Sequence, residues 1–101
     1  MSVESTVIVE SHGSAATLYA SGELTADGLL WALAHVERLP TNVRALCVDL
    51  RAVRVMEDRA LRTLGLALRK WRALRRGMSR VWLSAPQWRV SDGAWLPADT
   101  P

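Results

Sequence analysis

The chain has 101 residues, half of them hydrophobic, with a formal charge of +3 and a pI near 10.0. That length suits one domain with one core, and that apolar content excludes a disordered chain. Cys47 is the single cysteine, which excludes an internal disulfide. With no CxxC or Cys/His pairing, no opening leader and no apolar run near the ~18 residues of a membrane span, the chain reads as cytoplasmic, without metal, cofactor or membrane.

Val7-Ile8-Val9 is a β-branched run, and His12-Gly13-Ser14 is a turn signal after it. Ala16 to Ala20 alternates as a returning strand, so the chain opens on a hairpin with strands near Val7–Glu10 and Thr17–Ala20. Ser21-Gly22-Glu23-Leu24 reads as a loop. Thr25 is placed to cap a helix, Thr25–Leu39, whose Leu29, Leu30, Leu33, Val36 and Leu39 recur at helical spacing before Pro40.

Leu46–Leu50 lies in a nearly continuous apolar run, the pattern of a central strand covered on both faces. Arg51 to Met56 reads as a loop. Asp58 is then placed to cap a second helix, Asp58–Arg76, with Ala60, Leu64, Ala67, Leu68, Trp71 and Leu74 on its apolar face and Gly77 at its end. Val81–Ser84 is the last clear strand. The expectation is an α/β domain core over 1–86, a mixed sheet of four or slightly more strands with helices mainly on one face. Residues 87–101, broken by Pro86, Gly93 and Pro97, read as a short helix, an irregular wrap or a frayed end. Trp88 and Trp95 there either plug the sheet or form an exposed patch.

The charge is unevenly placed. From Arg59 to Arg80 there are eight basic residues and no acidic one. Arg62, Arg69, Arg72 and Arg76 share one helical stripe, whose plain reading is a solvated face and whose sharper reading is a contact surface for an acidic partner or a phosphate backbone. Trp71 falls on the apolar side, so the aromatics that a nucleic-acid face needs are not interleaved with the stripe. His12, His35 and Cys47 have no spacing that suggests a triad, dyad or activated thiol, and Gly65 and Gly77 make no phosphate loop. The chain is read as a non-enzyme.

The strand–strand–helix–strand–helix–strand order, with three short motifs at its joints, resembles the STAS domain, best known from bacterial anti-sigma-factor antagonists. Ser21-Gly22-Glu23-Leu24 looks like the family's Gly-Glu-Leu/Ile-Asp turn, and Val48-Asp49-Leu50 looks like its central strand. Val55 to Leu61 lies where the family carries Asp-Ser-Ser/Thr-Gly-Leu. The resemblance covers about Ala16 to Pro86. It implies a regulatory module that docks a protein partner, an anti-sigma factor or kinase-like protein, through Met56, Glu57, Asp58, Arg59, Ala60 and Arg62, with Glu23 and Thr25 as secondary contacts. Asp58 stands at the family's phosphoserine position and has no hydroxyl to phosphorylate. It reads first as a helix cap and second as a partial imitation of phosphoserine, one charge against ~1.5–2. The chain is expected to be a monomer or weak homodimer without specific nucleic-acid binding. The rivals are a basic nucleic-acid-binding or scaffold protein using the Arg62–Arg76 stripe, and an accessory subunit of a transporter or stress-signalling complex.

Overall fold

The computed structural model describes residues 6–74, 80–91 and 94–98. Strand β3 (Ala45–Glu57) is its spine. Leu46, Val48 and Leu50 turn inward at the two-residue spacing of a strand, but the next buried residues, Val53 and Met56, follow at intervals of three. The pairing with β2 (Ala15–Leu24), which is parallel, shows the cause. Tyr19 faces Asp49 and Ser21 faces Ala52; Gly22 faces Val53 and Glu23 faces Val55. At each step β3 carries one residue more than its partner, so two bulges return Val53 and then Met56 to the core. Gly22 has φ +75°, a conformation that a side chain resists. The loops expected at Ser21–Leu24 and Arg51–Met56 are therefore the bulged ends of two paired strands.

Strand β1 (Thr6–His12) completes the opening hairpin, antiparallel to β2, around Gly13 at φ +60°. Strand β4 (Arg80–Ser84) runs parallel to the first half of β3 on its other side. Among the described residues the tail forms two strands in place of the expected short helix or irregular wrap. Strands β5 (Trp88–Ser91) and β6 (Ala94–Pro97) pair antiparallel, and β6 joins β3 at Met56 and Glu57. The Ala98 amide donates to the Gln87 carbonyl at 2.7 Å and closes the hairpin's base. The hairpin thus belongs to the same six-stranded mixed sheet.

Helix α1 (Ala26–Glu37) links β2 to β3, and α2 (Asp58–Leu74) links β3 to β4. Two right-handed crossovers advancing in one direction across the sheet put both helices on the same face. There Leu29, Leu33 and Val36 of α1 and Ala60, Leu64 and Trp71 of α2 join the inward residues of β2 and β3 in one core. A Lys70 Nζ to Glu37 Oε1 ion pair of 3.0 Å bridges the two helices at the surface. The opposite face carries no helix among the described residues. Central β3 is accordingly covered on one side, and Cys47 is half-buried on the open side beside Trp82. Trp82 is itself exposed. The expected helix end at Arg76 and Gly77 lies outside the described residues.

Candidate functional site

Two parallel strands end side by side, and two helices begin there. Glu23 pairs with Val55 and Leu24 with Met56, so the β2–α1 and β3–α2 junctions form one corner. The positive ends of both helix dipoles meet at this edge, beyond the carboxyl ends of the strands, where α/β folds place their binding sites.

Glu57 holds the corner together. Its Oε1 accepts the Ala26 amide at 2.8 Å, satisfying one of the orphan donors at the start of α1. Thr25 satisfies another, its hydroxyl accepting from Gly28 N at 3.1 Å, the capping role read from the sequence. Glu23, Thr25, Glu57 and Asp58 thus converge across the length of α1 and β3.

Asp58 does something other than cap. It is the first residue of α2 itself, and its carboxylate points to side chains. Oδ1 accepts from the Trp95 indole Nε1 at 3.2 Å, and Oδ2 pairs with Arg62 Nη2 at 2.9 Å, one turn along the helix. The Asp58 side chain keeps 41% of its exposure under these two partners. As an imitation of phosphoserine it is weak, because its one charge is already shared with Arg62.

The expected partner-binding set divides by burial. Met56 and Ala60 are fully buried, each at 0% exposure, and can only support a contact surface from beneath. Glu57 and Asp58 are partly exposed, and Arg59 and Arg62 are exposed; with Glu23 and Thr25 they form the accessible surface of the corner. Trp95 and Trp88 are partly buried against the core, so they plug the sheet. Sequence reasoning missed the Trp95 contact and the Glu57 clamp. A signal for the first was there: Asp92-Gly93 between two alternating apolar stretches is a strong short-range hairpin motif.

Elsewhere the charges divide cleanly. On the open face, Arg51 grips Asp49 with a fork, Nε to Oδ1 at 3.1 Å and Nη2 to Oδ2 at 2.9 Å. These hydrogen bonds from the Arg51 side chain, with its backbone amide behind them, hold the Asp49 carboxyl below its usual range. Arg62, Arg69 and Arg72 line the outside of α2 while Trp71 is buried; Arg76 is outside the described residues. No cluster of three His, Cys, Asp or Glu able to hold a metal ion occurs among the described residues, and no helix there is long and apolar enough to cross a membrane.

No family model matches the chain, and neither does any curated protein sequence. Solved structures do match. An anti-sigma-factor antagonist from Mycobacterium paratuberculosis superposes with a TM-score of 0.65 at 25% identity, over 83% of this chain and 69% of that one. An anti-sigma-factor antagonist STAS domain from Rhodobacter sphaeroides superposes with a TM-score of 0.57 at 15% identity, over 79% and 85%. The fold is STAS-like. Mglu also contains a similar unit, with a TM-score of 0.68 at 24% identity over 79% of this chain, which spans only 19% of the Mglu chain. Within the STAS-like frame, the β5–β6 hairpin is what this chain lays against the corner.

Proposed function

We propose that this chain is a non-catalytic regulatory module that docks a protein partner through the corner formed by Glu23, Thr25, Glu57, Asp58, Arg59 and Arg62. The observation that supports it is the Glu57–Ala26 hydrogen bond, which fixes two helix starts, distant in sequence, as one rigid surface. Rigid surfaces bind at lower entropic cost than loops that must be ordered on contact. The likeness to two anti-sigma-factor antagonists makes an anti-sigma factor the partner class of choice. Asp58 carries no hydroxyl, so binding is not switched by phosphorylation at that position. The module acts in the cytoplasm, as a monomer or weak homodimer.

The test is affinity capture from the native cell extract with the wild-type chain, Arg59→Glu and Arg38→Ala, followed by reconstitution with the purified partner and ATP. The expected partner is retained by wild type and Arg38→Ala, lost by Arg59→Glu, and adds no phosphate to the wild-type chain. A partner that binds Arg59→Glu as well as wild type would remove the corner from the account.

A further inference from the structure

Away from the corner, α1 and α2 leave a groove between them on the outer side of the helical layer. Leu30, Leu33 and Ala34 form one wall, Leu66 and Ala67 the other, and the Glu37–Lys70 ion pair closes one end. Leu66 is 67% exposed and Leu30 is 53% exposed, although both are large apolar residues with a packed core one helix face away.

The surroundings of Leu66 say what would cover it. On α2, Arg62 lies four residues before it, Arg69 three after and Lys70 four after, the positions that neighbour it on the helix surface. A hollow lined by Arg62, Gly65, Leu66 and Arg69 continues the groove outward. Over its 17 residues α2 carries Arg59, Arg62, Arg69, Lys70 and Arg72 against the single acid Asp58. A leucine left in water at the centre of a cationic face is complementary to a ligand that is apolar along one line and anionic beside it.

We propose that the α1–α2 groove binds an acidic amphipathic helix from a partner protein, its apolar stripe seated on Leu30 and Leu66 and its carboxylates on Arg69 and on the Arg62 that also pairs with Asp58. Two helices side by side present a groove that suits a third helix, read through anchors at i, i+3, i+4 and i+7. A bilayer surface fits less well. The site is a concave groove walled by two helices, whereas a bilayer presents a broad, nearly flat surface. The groove uses residues distinct from the corner except for Arg62, and the proposal does not depend on partner docking there.

A fluorescent, helix-stapled peptide of about four turns, with Leu at i, i+4, i+7 and i+11 and Glu on the flank that faces α2, provides the probe. Anisotropy titration with the full chain should show saturable binding, at least tenfold weaker for Leu66→Ala and for Arg69→Glu, and unchanged for Arg38→Ala. Both test positions are exposed, so folding is retained, and circular dichroism verifies it. Three results would overturn the proposal: equal binding of a sequence-scrambled peptide, no peptide binding but Leu66-dependent binding to anionic phosphatidylserine vesicles, or a concentration-dependent dimer that Leu66→Asp dissociates. The last two would assign the groove to a membrane surface or to a second copy of the chain.

Discussion

Glu57 and Ala26 are 31 residues apart in the chain, yet the Glu57 carboxylate takes the Ala26 amide hydrogen at 2.8 Å. One acid at the end of β3 therefore sets where α1 begins. Because the bond is partly buried and charge-assisted, its loss leaves an amide at a helix start without its acceptor. Glu57→Ala is expected to destabilise the chain by about 1–2 kcal/mol in urea denaturation, and Glu57→Gln, which keeps an acceptor, by less than half of that. Equal losses for the two variants would mean that the side-chain packing, not the hydrogen bond, matters.

Gly22 sits at φ +75° in β2, between the two places where β3 slips ahead in register. Gly22→Ala should cost at least about 1 kcal/mol, because alanine must take a conformation that glycine occupies freely. Gly65→Ala supplies the control. A Cβ there meets nothing within 4 Å, so alanine in that helix should be neutral or stabilising by up to about 1 kcal/mol.

Those two bulges also explain which parts of the fold were legible in the sequence. Val7–Val9, the Leu46–Leu50 run and the apolar stripe of α2 each follow a single period and lie in the expected elements, although Leu74, expected on that stripe, is exposed. Leu50, Val53 and Met56 do not follow one, because bulging spreads inward residues of a strand to intervals of three, which a two-residue template reads as a break. The open face of β3 was illegible for a different reason. An apolar run records that residues are hydrophobic, and Ala45 and Cys47 are small enough to tolerate half-exposure without a covering layer. The corner was legible as a position but not as a set of contacts. Met56 and Ala60 were assigned to the surface by motif, whereas their burial follows from the register with β2 and the inward phase of α2.

Asp58 ties the β5–β6 hairpin to the corner through the Trp95 indole. Asp58→Asn keeps an acceptor for that indole and gives up the ion pair with Arg62, an exposed i,i+4 pair that contributes only about 0.3–0.5 kcal/mol. Its stability should stay near wild type. Trp95→Phe removes the donor while retaining much of the packing, and a loss of about 0.5–1.5 kcal/mol is expected. In hydrogen exchange, the amides of residues 94–96 should open faster in Trp95→Phe than in wild type, and no faster in Asp58→Asn. Accelerated exchange in both would mean that the Arg62 pair, and not the indole alone, holds the hairpin.

The Asp49–Arg51 fork predicts an acid limb. The folded-state pKa of Asp49 is lowered from 3.8, first by the Arg51 side-chain hydrogen bonds. The unfolded chain therefore binds a proton more readily there, and the pair stabilises the fold fully at pH values above the unfolded carboxylate's pKa. That contribution disappears as pH falls through the lowered folded value. Denaturation of wild type and Arg51→Ala should differ at pH ~5–7 and converge as pH falls below the lowered folded value. The difference is expected to be small, since Arg51 is exposed. A gap that persists unchanged at the acid end would contradict the assignment.

The most direct test of the docking corner is amide hydrogen exchange of the chain alone and in complex with its purified partner. Docking at the corner predicts that binding slows exchange at 23–28 and 57–62, where the two helix starts meet, with the open sheet face around Tyr19 and Cys47 unchanged. Protection confined to the open face or to β4, with the two helix starts exchanging as in the free chain, would contradict it.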